Sequence, residues 1–226
     1  MEPDKFCARL IAGMHVAHGE CYSAQNSASC LGIYNLCQQA SPDWVVDVGT
    51  AYGASALVCA LALVHMGRSP ACLTTIDFQH VGWEHSLGLH AELLAESGVE
   101  AHEIQTVTRS FTQVPARDIL QGRERLFLFY DIHDSIDDVP SATLFQGWVP
   151  LIQSGLVAVH DCVVASYEGQ AIQTARHHEG QLFAGYPECA RTINWLNEYK
   201  ASVGVAPQVN AIYFEVRDGV PVHEDY

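Results

Sequence analysis

Apolar positions along the chain follow two alternating patterns. Short, nearly unbroken runs, WVVDVG (44–49), ACLTTID (71–77), RLFLFYDIH (125–133) and GLVAVHD (155–161), read as strands buried on both faces. EIQTVTRS (103–110) reads as a further, more polar strand. Between them apolar residues recur at helical spacing, over 5–20, 26–39, 53–66, 85–98, 112–121, 138–152, 166–178 and 187–201. In 26–39, Leu31, Tyr34, Leu36 and Cys37 share a broad face. Gly98 is a natural C-terminal stop for 85–98. VNAIYFEV (209–216) and PVHEDY close the chain, and the turn Arg217–Val220, containing Asp218-Gly219, predicts an antiparallel hairpin.

Strands alternating with helices predict an α/β fold: a Rossmann-like doubly wound sheet, mostly parallel, with an antiparallel C-terminal hairpin and helices on both faces. There is no internal repeat and no Pro/Gly linker, so 1–226 reads as a single domain. Residues 1–40 form an N-terminal helical extension and 44–226 the Rossmann-like core.

Charge narrows the partners. The chain carries 26 acids against 11 bases, a net charge of −15. Such a surface repels phosphate backbones and anionic lipid, which argues against nucleic acid and membrane. ASALVCALALVHM, from Ala54, is too short for a membrane span and reads as a buried helix. MEPDKFCARLIAGMHVAHG opens acidic and is interrupted by Arg9, His15 and His18, unlike a signal peptide. None of the eight cysteines forms a C-x-x-C pair, so they read as free thiols packed as small hydrophobes in a reducing, cytoplasmic setting.

In an open α/β sheet, ligands sit beyond the carboxyl ends of the strands. The polar residues there are Asp47 and Gly49, Asp77, Arg109 and Ser110, then Asp131, His133 and Asp134, then His160, Asp161 and Cys162. Gly49-Thr50-Ala51-Tyr52-Gly53 lacks the G-x-G-x-x-G of dinucleotide sites, which disfavours a nicotinamide-dependent reductase. Gly49 permits a sharp strand-to-helix turn, and Gly53 a close approach of helix or ligand. Ser55 falls near a helix N-terminus, suited to a carboxylate, and Asp47 can accept from an ammonium group. Asp77, at the end of the next strand, is placed to accept from ribose hydroxyls. An amino acid end plus a ribose describes S-adenosylmethionine (SAM).

With these residues in order, the chain resembles the class I SAM-dependent methyltransferases, nearest the catechol-type and macrocin O-methyltransferase-like small-molecule branch. VVDVGTAYGAS resembles the first motif of that superfamily, TTIDF the second, and FLFYDIHDS with WVPLIQSGLVAVHDC the fourth- and fifth-strand region. The likeness covers roughly 24–165 and the terminal hairpin. It implies that Asp47, Gly49, Gly53 and Ser55 line the methionine end, that Asp77 holds the ribose, that Ser110 meets the adenine, and that Asp131 also borders the cofactor. Ala51 stands where many relatives have a glycine, and Thr108-Arg109 replaces a Gly-acid pair.

The resemblance implies methylation of a small molecule at oxygen, with nitrogen as the alternative, assisted by Mg2+ or another divalent metal on Asp131 and Asp161. His133, Asp134 and His160 are the candidate base or additional ligands. Cys162 stands where catechol-type relatives have an asparagine ligand, and a thiol suits magnesium poorly. The N-terminal segment and 166–195 correspond to the parts that form the acceptor pocket and often a homodimer contact in such folds, with Tyr22, Trp148, Tyr167, Tyr186 and Trp195 as aromatic candidates. A non-catalytic binding protein keeping this fold is the rival from another class.

Overall fold

A computed structural model describes residues 1–18, 26–80, 82–132, 139–160 and 187–223. One twisted sheet organises them. Its strands are β1 (Trp44–Val48), β2 (Leu73–Asp77), β3 (Gln105–Thr108), β4 (Arg125–Tyr130), β5 (Ser154–Val159), β6 (Gly204–Ala206), β7 (Ala211–Arg217) and β8 (Val220–Pro221). The order is β3-β2-β1-β4-β5-β7-β6, with β8 paired to β7. The first five strands are parallel, and β7 inserts antiparallel between β5 and β6.

Alternating side chains of each strand feed two cores. Val45, Phe127, Phe129, Leu156 and Ala158 face helices α1 (Pro3–His18), α2 (Ser27–Ala40), α3 (Ala54–His65), α4 (Trp83–Leu89) and α5 (Ala91–Ser97). Val46, Val48, Leu128, Tyr130 and Val157 face α6 (Ala116–Leu120), the residues Leu144, Phe145, Trp148 and Val149 that follow α7 (Val139–Ala142), and α8 (Pro187–Glu198). Because both faces are covered, β1 is buried at all five positions, Asp47 included, as its almost wholly apolar run suggests. The helix α3 is buried from Ala54 to Leu63, the expected core helix. On α1, Phe6, Cys7, Leu10 and Met14 are fully buried in the same core as α2 and α3. Cys7, Cys30, Cys37 and Cys59 are buried free thiols, as anticipated.

Several element boundaries differ from the sequence expectation. The 85–98 helix is two helices, because His90 leaves helical geometry (φ −103°, ψ 12°) where its ring packs on Gly13 of α1. Pro70–Cys72 forms a 3-10 turn, so β2 starts at Leu73. The strand expected over 125–133 ends at Tyr130. The 138–152 helix is composite: α7, a π-helical stretch over Thr143–Trp148 and a 3-10 turn over Val149–Leu151. Pro207–Val209 is a 3-10 turn, so the strand expected over 209–216 begins at Ala211. The edge strand β6 has no counterpart in the sequence reading, being too short to carry a pattern. The hairpin at Asp218-Gly219 is present, with φ of 49° and 77° at the two turn residues, the left-handed pair that a tight two-residue hairpin needs. No described helix is long and apolar enough to cross a membrane.

Candidate active site

The sheet order reverses between β1 and β4, which opens a crevice at their carboxyl ends. A cleft of about 670 Å³ lies there. Gly49 and Ala51 line it from the turn after β1, Asp77 and Phe78 from β2, and Ser110, Phe111 and Thr112 from the segment after β3. Asp131 and Ile132 follow β4, His160 follows β5, and Pro140 of α7 completes the wall. The size falls within the range of small-molecule sites.

The turn after β1 is held from two sides. Gly49 (φ +86°) leaves no room for a side chain: a Cβ would lie 2.0 Å from the Asp131 carbonyl oxygen. At Gly53 (φ +91°) a Cβ would meet the Trp83 ring at 2.4 Å. Close approach at Gly53 therefore serves the packing of α4 on α3. Ala51 adopts φ +45°, a left-handed conformation disfavoured for alanine, and its N–H donates to Asp77 Oδ2 at 2.9 Å. The other Asp77 oxygen accepts from Gln79 N–H at 3.1 Å. Each carboxylate oxygen keeps a second lone-pair direction for a ligand.

Beneath this turn lies Asp47, completely buried. Its Oδ2 accepts from the Thr50 hydroxyl at 2.7 Å, while Oδ1 has no hydrogen-bond partner. Burial pushes its pKa up to about 7; the Thr50 and Ser55 hydroxyls oppose the rise, and Asp131 and Asp77 add to it. Asp47, Gly53 and Ser55 thus stand behind the cleft wall, whereas Gly49, Asp77, Ser110 and Asp131 form it.

At the far side, His160 Nδ1 and Asp131 Oδ1 are 2.9 Å apart. The backbone sets this pair: Asp131 N–H donates to Val48 O and His160 N–H to Tyr130 O, so the ends of β1, β4 and β5 lock in register. His160 is buried against Phe129, at 5.8 Å between ring centroids. His133, Asp134, Asp161 and Cys162 lie outside the described residues, as do Tyr22, Tyr167 and Tyr186. Trp148 and Trp195 belong to the second core, Trp148 beside Phe111 and Trp195 stacked on Phe145. Among the described residues, the side chains grouped closely enough to share a metal ion are Glu100, His102 and Glu103, exposed on the turn that precedes β3.

Neither protein-family models nor curated protein sequences match the chain. Solved structures do. A Corynebacterium glutamicum protein matches over 99% of this chain and 94% of its own, at 15% identity and a TM-score of 0.60. Cofactor-bound Rv0187 from MTB covers 96% and 91%, at 15% identity and a TM-score of 0.55. The O-methyltransferase TomG from Streptomyces achromogenes, solved with SAM, covers 96% and 90%, at 20% identity and a TM-score of 0.54. The fold is the Rossmann-like methyltransferase fold. In that fold the chain's strand-end residues Gly49, Asp77, Ser110, Asp131 and His160, scattered over more than a hundred positions, converge on one cleft. Ala51, Phe78, Phe111, Thr112, Ile132 and Pro140 also line the cleft and were not among the expected site residues, and neither was Thr50. Phe78 stands 66% exposed at the cleft mouth, and Thr50 holds Asp47. An apolar residue directly after the strand-end acid was the available signal for Phe78; the role of Thr50 appears only once the turn is folded.

Proposed function

We propose that this protein is a SAM-dependent methyltransferase acting on a small molecule, with transfer to oxygen. The observation that carries the reading is Asp47: a fully buried carboxylate with one orphaned oxygen, under a glycine turn that opens on the cleft. A buried carboxylate oxygen with no hydrogen-bond partner is costly even where the other oxygen accepts from a hydroxyl, as Thr50 donates here, unless a ligand supplies one. An ammonium group at the methionine end of SAM supplies it, directly or through water. Asp77 takes the ribose hydroxyls, and Phe78, Ser110, Phe111 and Thr112 give the adenine an aromatic and hydroxyl-bearing wall. Bound SAM presents an electrophilic methyl on its sulfonium, and this chain's task is to hold the acceptor in line with it and deal with the acceptor's proton.

The described group available for that proton is the Asp131–His160 pair. Asp131 would hold a divalent cation, with Asp161 as the second ligand that the sequence suggests, and the cation would lower the acceptor hydroxyl's pKa. The 2.9 Å contact favours a second reading, in which Asp131 orients His160 through Nδ1 and the imidazole takes the proton. The acidic surface favours small, uncharged or cationic acceptors over polyanions.

The test is calorimetric titration of the folded, cofactor-free protein with SAM, S-adenosylhomocysteine (SAH) and NAD, followed by transfer of labelled methyl to phenols, sugars and amines. Binding of SAM and SAH but not NAD, and label on an oxygen, is expected. No binding of SAM or SAH at millimolar concentration refutes the cofactor. Binding without transfer to any acceptor class would leave a binding protein on this fold, and label on amines alone would make it an N-methyltransferase.

A further inference from the structure

We propose that His80 is a positioning residue for the cofactor, pinning residues 77–80 so that Asp77 and Phe78 are held against the turn after β1. The inference rests on the methyltransferase reading for its ligand but on independent geometry for its mechanism.

His80 has φ +45°, a conformation that L side chains seldom adopt. Strained residues persist where their surroundings fix them, and they concentrate at functional sites. Here both ring nitrogens are engaged. Nε2 lies 2.9 Å from Thr75 Oγ1 on β2, and Nδ1 lies 3.2 Å from Thr108 Oγ1 at the end of β3. The Thr75 hydroxyl also points at the Gln105 carbonyl, 3.5 Å away. One tautomer satisfies all three contacts: Nε2–H donates to Thr75, Thr75 donates to Gln105, and Thr108 donates to Nδ1. Burial lowers the His80 pKa, against the opposing pull of Asp77, so the neutral ring this arrangement needs is the favoured form. The ring thus fastens the segment leaving β2 to two strands.

What the pin holds is one side of the site. Three residues before His80, Asp77 caps Ala51 N–H; next to Asp77, Phe78 stands exposed at the cleft mouth. On the other side, the His80 carbonyl accepts from Trp83 N–H at 3.1 Å, and the Trp83 ring fills the space left by Gly53. Gly82 in turn leaves room for the Tyr52 ring, which a Cβ there would meet at 2.4 Å. Asp77, Gly82 and Trp83 therefore interlock with the 49–53 turn at three places, and His80 is where that assembly is tied to the sheet. Phe78 has little burial of its own to hold it, so its position relative to the cleft depends on this tie.

The test separates strain from anchoring. His80→Gly relieves the positive φ, which favours the folded state, yet removes both side-chain contacts. Thr108→Val, on the exposed edge strand, removes the Nδ1 partner while keeping a residue suited to a strand. We expect His80→Gly to keep the melting temperature of the ligand-free protein within a few degrees while its SAH dissociation constant rises about tenfold, and Thr108→Val to raise it about threefold. The double variant should be no weaker than His80→Gly alone. Hydrogen exchange at the Ala51 and Gln79 amides, both donors to Asp77, should quicken in the same order without ligand. SAH affinity and amide exchange unchanged in both variants would overturn the proposal. Failure of the wild-type protein to bind SAH would instead refute the cofactor reading, and the exchange rates would still decide whether His80 pins the segment. If His80→Gly does not fold, Thr108→Val carries the same decision.

Discussion

Replacing Asp47 with asparagine should stabilise the ligand-free protein at neutral and alkaline pH while damaging its binding of SAM. The buried carboxyl titrates near 7 against an ordinary value of 3.8. Between these values the folded protein holds a proton that the unfolded chain has released. The contribution of Asp47 to stability is therefore most favourable below about pH 4 and declines as pH rises towards 7, beyond which the carboxylate's full burial cost is present. Raising the carboxyl from 3.8 to about 7 corresponds to roughly 4 kcal/mol, an upper figure because the native site can relax around the charge. Asparagine does not ionise and leaves one polar group without a partner, as the protonated acid does. The two proteins should then be of similar stability near pH 4 and diverge steadily, with Asp47→Asn ahead by about 2–4 kcal/mol at pH 8. Urea unfolding of both proteins in steps from pH 4 to 8, with equal m-values, measures this difference. A gap that does not change with pH, or a variant less stable at pH 8, would refute the assignment of a strained, ionisable Asp47. The same reasoning predicts that SAH binding to the wild type releases a proton near pH 6, detectable by calorimetry in buffers of different ionisation enthalpy, and that Asp47→Asn abolishes that release.

Asp77→Ala removes a carboxylate that caps Ala51 and Gln79, and it should weaken SAH by about 1.5–3 kcal/mol, read by titration; an unchanged affinity would reduce Asp77 to a turn residue. Ala51→Gly relieves a left-handed alanine and should raise stability by about 0.5–1 kcal/mol in thermal melts, less than the full strain because glycine has more unfolded freedom to lose. Turnover of an identified acceptor should fall in EDTA and return with magnesium or manganese, and Asp131→Asn should lose that response. Full activity in EDTA, together with inactivity of His160→Ala, would assign the proton to His160.

Much of this architecture is legible without coordinates because the relevant forces are local or periodic. Apolar runs at 44–48 (broken only by Asp47), 126–130 and 156–159 mark strands covered on both faces whatever their neighbours are. Gly49 and Gly53 mark a turn because few other residues accept their positive φ. The hairpin at Asp218-Gly219 follows from the same local chemistry. Once strands are known, strand-end polar residues nominate the site, which is how Asp77, Ser110, Asp131 and His160 came to be named from sequence and are found around one cleft.

Contacts between distant segments could not be read in this way. Nothing in the sequence states that the His160 ring meets Asp131, since that needs β4 and β5 side by side in a particular register. Nor does it state that a tryptophan lies over Gly53, that His90 breaks a helix against Gly13, or that a three-residue strand at 204–206 closes the sheet edge. Asp47 shows the division most clearly. Its place at the end of a strand is written in the order of residues; its raised pKa and orphaned oxygen are not. Those arise from burial beneath a folded turn, where water is excluded and the nearest charges belong to strands far away in the chain. Sequence patterns report what each segment does to its own backbone and its own exposure to water, and electrostatics and close packing depend on which other segments arrive beside it.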